Sequence, residues 1–167
     1  MKKVAVLGMA VAVGLALMAP GANSAGPPKV LEFDTMAGVA GPYVGAANPI
    51  RGVPGGGLAW AIDEGRGGLR VDGQLEIEVQ GLVLAEGANA GRNPIAQFKA
   101  IVSCQTIDGT SAATTNISTG LFPATTTGDS KIEDTVELPS PCFAPIVFVT
   151  NGTGAPPGAW FATTGTG

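Results

Sequence analysis

The chain has 167 residues, with 26 Gly, 13 Pro, 9 Lys+Arg, 13 Asp+Glu, 2 Cys and no His. That length supports one main domain with one core. The missing imidazole excludes Ser-His-Asp and Cys-His catalysis and His-ligated metal sites, and the acidic balance argues against a nucleic-acid binder.

Lys2 and Lys3 precede an apolar run from Val4 to Met18, which Pro20-Gly21 ends ahead of the small residues Ala22, Asn23, Ser24 and Ala25. This is the three-part pattern of a secretory signal peptide. The run falls short of the roughly 20 residues that a membrane-spanning helix needs. Residues 1–25 are therefore expected to form a signal-peptide helix, cleaved after Ala22, Ser24 or Ala25. Residues 26–167 then remain as a single β domain without a membrane span, secreted to the periplasm, cell envelope or medium.

Beyond residue 25 the helical period is almost absent and strand patterns dominate. Val30–Thr35 and Gly57–Ile62 read as short strands separated by the Gly41-Pro42 and Gly52–Gly57 turn regions. Gly52–Gly57 lacks the Lys-Ser/Thr of a phosphate loop. Leu69–Val71 and Gln74–Gln80 flank Asp72-Gly73 and read as a hairpin. In the second of these, Leu75, Ile77 and Val79 alternate with Gln74, Glu76, Glu78 and Gln80, the period of a half-buried strand. Gly81 followed by Leu82-Val83-Leu84 breaks the alternation, as a bulge would. Glu86–Pro94 is expected to be a mobile loop.

Ile95–Gln105 is the next clear strand, with Phe98, Ala100, Val102 and Cys104 on its core face and Gln97, Lys99 and Ser103 opposite; Ile101 is the exception. Residues 106–130, rich in Thr, Ser and Gly, read as a flexible polar connection containing one strand, Ala112–Ser118. Lys131–Leu138 would place Asp134 on the face of Ile132, Val136 and Leu138. A carboxylate there needs a partner, either a turn hydrogen bond or an ion pair with Arg51, Arg66, Arg70 or Arg92; a register slip would instead expose it, and a functional buried acid is the third reading. Ala144–Thr150 is apolar on both faces, as a central strand is, and Ala159–Thr163 closes the chain. About eight short strands punctuated by turns indicate an all-β fold, an antiparallel β-sandwich or small barrel.

Cys104 and Cys142 are an even pair in an exported chain and are expected to form a disulfide. It would close a loop of about 39 residues and stabilise by roughly 4 kcal/mol. Trp60 and Trp160 read as core fillers, with an exposed aromatic binding platform for sugar rings as the alternative. Glu76 and Glu78 share a strand face at a spacing that overlaps the lower end of that of inverting glycosidases, but exposed acids on an outward strand face are routine and a solvated face is the better reading. Ser130-Lys131 and Ser103/Lys99 do not form a local Ser-Lys dyad. Asp63-Glu64, Asp72, Asp108 and Asp129 sit near Gly-containing turns and leave calcium open as the only candidate cofactor, outside any EF-hand pattern.

The segments IRGVPGGG (Ile50–Gly57), STGLFPATTTGDSKIEDTVELPSPCFAPIVFV (Ser118–Val149) and GAWFATTG (Gly158–Gly165) resemble those of a family of small exported bacterial proteins of unknown function. The resemblance implies a bacterial source and export, and it brings no activity or site residue. No catalytic constellation assembles from the sequence. The leading functional expectation is a non-enzymatic interaction or structural module with an envelope or extracellular ligand. Two alternatives stay open: a carboxylate-based hydrolase acting on an envelope or environmental polymer, and a calcium-stabilised binding domain.

Overall fold

The computed structural model describes residues 26–152 and 158–165; the signal segment expected at residues 1–25 lies outside the described residues. Among the described residues the chain is all-β. Its strands are β1 (Lys29–Phe33), β2 (Ala37–Gly38), β3 (Trp60–Ala61), β4 (Glu64–Arg70), β5 (Gln74–Gln80), β6 (Val83–Leu84), β7 (Gln97–Asp108), β8 (Ser111–Ser118), β9 (Phe122–Pro123), β10 (Ser130–Thr135), β11 (Phe143–Asn151) and β12 (Trp160–Thr163). One four-stranded sheet has the order β1-β4-β5-β10, and a larger sheet has β2-β12-β11-β7-β8 with β9 also on β7. β3 and β6 form a separate two-stranded ribbon. All these pairings are antiparallel. The sheets pack together as in a sandwich, and no closed barrel forms.

The hairpin of β4 and β5 follows the sequence pattern. Leu69 pairs with Leu75 across the turn, and Leu75, Ile77 and Val79 are buried while Gln74 and Glu76 face solvent. Gly73 closes the turn, its N–H donating to the Arg70 carbonyl at 3.0 Å. It has φ +86°, and a Cβ there would lie 1.8 Å from the Val136 carbonyl oxygen. Both features require glycine. Inward residues of this sheet meet Phe98, Ala100, Val102 and Phe148 of the larger sheet in one core.

Several expectations need correction. Leu82–Leu84 is not a bulge in β5: the chain leaves the sheet at Gly81, which has φ +65°, and Val83–Leu84 pairs with Trp60–Ala61 instead. A side chain at Gly81 would overlap the Asp63 carboxylate, so the exit is built around its absence. β7 lacks the expected polar face over Ala100–Cys104, where every residue is buried. The cause is position: β7 lies between β11 and β8, and the chain at Arg51 crosses its outer side, with the guanidinium donating to the Ser103 carbonyl at 2.8 Å. Residues 106–130 hold more regular structure than a flexible connection would. They contain the end of β7, all of β8 and β9, and a turn in which Asp129 accepts from Thr127 Oγ1 at 2.7 Å. The loop expected at Glu86–Pro94 is pinned at its end by buried Asn93. The Asn93 amide donates to the Ile95 and Thr125 carbonyls and accepts from the Ile95 N–H, each at 2.8 Å.

Candidate functional site

Period-2 alternation sends one side of β1, β4, β5 and β10 into the core and the other to solvent. The outward side forms an open trough of about 970 Å³. The pairing register arranges its side chains in rows. Glu32, Gly68, Glu76 and Glu133 form one row across all four strands. Arg66, Glu78 and Lys131 form the next, and Lys29 lies beside Arg70 in a third. Gly68 contributes no side chain, which leaves the middle of the acidic row open; the Lys29 methylenes lie beside it.

Charges of opposite sign meet across and along these rows. Arg66 pairs with Glu64 and, at 2.7 Å, with Glu78; Lys131 reaches Glu133 at 2.7 Å and Glu76 at 3.6 Å; Lys29 pairs with Glu32. Arg70 donates to the Pro27 carbonyl at 2.6 Å. The paired side chains are 39–69% exposed, a setting in which ion pairs contribute little to stability. The lattice is therefore better suited to presenting a patterned polar surface than to holding the fold together.

The hydrogen bond from Arg66, reinforced by Gln80, holds the Glu78 carboxyl below the usual carboxylate range. Hydrogen bonds from the Thr127 hydroxyl and the Gly81 N–H do the same for Asp129. Glu133 raises the Lys131 ammonium in turn. A carboxyl whose pKa is depressed by folding adds stability that is complete above its unfolded pKa, near 4, and is lost as pH falls through the folded value. Acid titration followed by tryptophan fluorescence is expected to show a flat thermal midpoint from neutral pH to about pH 5 and a decline below it. Asp129→Asn should flatten that decline.

The structure takes Glu76 and Glu78 out of the glycosidase reading. They do share the outward face, but each is engaged by a cation, and the Glu78 pKa moves away from the raised value that a general acid needs. Ser130 and Lys131 point to opposite sides of β10, with Ser130 Oγ donating to the Pro123 carbonyl at 2.9 Å. Trp60 and Trp160 are both buried, so the aromatic-platform reading is corrected. Trp60 stacks on Phe161 with ring centroids 4.1 Å apart, and Trp160 packs beside Phe148 at 6.0 Å. Neither presents a ring face to a sugar.

Asp134 is half-buried, on the side of β10 that carries Ile132. Its carboxylate accepts from the Gly120 N–H at 2.7 Å and the Thr135 N–H at 2.8 Å. Among the described residues none of the four arginines weighed as partners, Arg92 included, pairs with it: Arg66 is paired with Glu64 and Glu78, while Arg51 and Arg70 bond to backbone carbonyls. Backbone amides, and not a guanidinium, thus satisfy Asp134. Asp134→Asn turns one acceptor into a donor facing an N–H. The expected loss is about 1 kcal/mol, read as a melting midpoint lower by about 4 °C.

Three of the loop carboxylates considered for calcium already meet protein donors, Glu64 through its ion pair with Arg66. Asp72 accepts from the Gln74 N–H at 3.3 Å, and Asp129 from Gly81, Thr125 and Thr127. Among the described residues no group of three or more His, Cys, Asp or Glu converges as a metal site.

Cys104 and Cys142 form a disulfide with Cα atoms 4.9 Å apart. Such a bond points to an oxidising, extracytoplasmic compartment. Among the described residues no helix is long and apolar enough to cross a membrane. The trough itself escaped the sequence reading, which treated Glu76 and Glu78 in isolation. The signal was present in Glu64/Arg66 and Lys131/Glu133, which repeat the same two-residue charge spacing on β4 and β10, the two strands that flank β5. No protein-family model matches the chain, and neither a curated protein nor a solved structure matches it.

Proposed function

We propose that the protein is a non-enzymatic interaction module of the cell envelope or extracellular space, and that it meets its partner on the outer face of the four-stranded sheet. One observation carries this reading: Glu32, Glu64, Glu76, Glu78 and Glu133 in and around the trough are each ion-paired. A surface of matched charges can recognise a polar polymer or protein. The five glutamates, each held by a cation, are poorly placed to move a proton. The other lining acids are Asp34, exposed to solvent, and Asp134, held by backbone N–H groups. Export is supported by the signal-like residues 1–25 and by the disulfide.

The test is a binding screen of the secreted, oxidised protein against cell-wall polymers and glycan arrays, beside a Glu76→Lys/Glu133→Lys variant. The expected result is a ligand retained without cleavage, weakened by salt and lost in the variant. Release of shortened polymer would favour the hydrolase instead. A ligand held equally by the variant would move the site off the trough. Chelator is expected to leave the melting midpoint unchanged; a drop would restore the calcium reading.

A further inference from the structure

Open sheets expose unpaired backbone at their edges, and natural proteins guard those edges with charge, bulges, short strands or covering chain. Three of the four edges of the main sheets are guarded in this way. β1 carries Lys29 and Glu32 and a register break between Lys29 and Leu31. β10 carries Lys131, Glu133 and Asp134. β2 has two residues, and the Trp60 backbone closes over it, its N–H donating to the Val39 carbonyl at 2.9 Å.

Among the described residues β8 carries no charge, no bulge and no paired strand on its outer edge; the passing chain touches it only through the Arg51 carbonyl, which accepts from the Asn116 side-chain amide at 3.0 Å. It is eight residues long, SAATTNIS, and pairs with β7 without a register break from Asp108↔Ser111 to Ile101↔Ser118. Among the described residues no strand pairs with its other side. It also lies in an uncharged stretch from Gly109 to Gly128, in a chain that has 9 Lys+Arg and 13 Asp+Glu. Among the described residues β8 is thus the longest unguarded edge of the two main sheets, and two copies of an acidic protein can meet along it without opposing like charges.

From this we infer that β8 is a self-pairing edge, joining two copies of the chain antiparallel about a twofold axis into one continuous sheet. The phase of the ladder fixes the register. The Thr119 N–H donates to the Ala100 carbonyl at 3.0 Å, so the residues alternating with Thr119, namely Ala113, Thr115 and Ile117, turn their backbone groups toward β7. Ala112, Thr114, Asn116 and Ser118 turn theirs outward. Full overlap sets Ala112 against Ser118 of the second copy and Thr114 against Asn116, with the axis at Thr115. That register forms about eight new backbone hydrogen bonds and brings the two Thr115 side chains together, a favourable cross-strand pair. The inference is independent of the trough, which lies on the other sheet.

Light scattering after size exclusion tests it on the secreted, oxidised protein over a concentration series. The expected result is a mass rising to that of two chains. Hydrogen exchange should slow at least about tenfold with concentration at the Ala112, Thr114, Asn116 and Ser118 amides, while Ala113, Thr115 and Ile117 stay protected throughout. Thr114→Pro removes an outward N–H without touching the β7 ladder and should give a monomer at every concentration. Should that variant fail to fold, Thr114→Lys places like charges at the junction and should also give a monomer. A protein that stays monomeric at its highest soluble concentration overturns the inference. So does a dimer whose four outward amides exchange freely, or one that survives a folded Thr114 variant.

Discussion

A Cys104→Ala/Cys142→Ala double substitution is expected to lower unfolding stability by about 4 kcal/mol. The bridged residues are 38 apart in sequence, and the loop they close holds β8, β9 and β10. Without the bond that loop is released into the unfolded ensemble, which gains the corresponding entropy. Packing losses should be small beside this. Cys104 is fully buried in β7, but alanine removes only one sulfur there. Domains of this kind have about 5–15 kcal/mol in all, so the variant sits near the margin at body temperature. Urea titration separates the causes. If the bridge acts on the unfolded state, the midpoint falls while the m-value rises, because the unlinked chain exposes more surface. A loss under about 1 kcal/mol would mean that the unfolded ensemble keeps structure that already confines the loop.

The parts of this fold that were legible in sequence are those governed by local period. Gln74–Gln80 was read with its boundaries and both faces, because each inward position is a large aliphatic and each outward one is polar. Cys104 was placed on the core face of β7 by the same rule. The disulfide followed from counting thiols in an exported chain. Legibility failed where tertiary position overrides period. Ser103 looks like a surface residue within its strand, yet it is buried because Arg51, 52 residues earlier, crosses over it. Asn93 looked like part of a loose loop, and its role depends on Thr125, which no local pattern links to it. Asp134 was singled out correctly as needing a partner, but the partner is the backbone at Gly120, and backbone donors leave no mark in composition. The trough is a product of register: only the pairing of four strands sets Glu32, Glu76 and Glu133 in line.

Trp60 offers the second large effect, and it separates a packing role from a binding one. The residue sits in a strand of two residues, far too short to be held by its ladder alone. Its ring lies nearly parallel to Phe161, with an interplanar angle of 19°, and the space above Gly56 is so close to Nε1 that a Cβ there would approach to 3.1 Å. Phe161 in turn meets Phe98 edge-on at 6.1 Å, so the indole is the outer member of an aromatic row that leads to the buried start of β7. Trp60→Ala removes that member and leaves a void that the rigid β12 and β7 backbones cannot close. A loss of about 3–5 kcal/mol is expected, seen as a lowered urea midpoint. Trp60→Phe keeps a ring against Phe161 and should recover most of it. With both tryptophans buried, iodide should quench little of the native fluorescence and much more of it in urea. Strong quenching in the folded protein, or a Trp60→Ala variant of native stability, would put an exposed ring back on the surface and reopen the aromatic-platform reading.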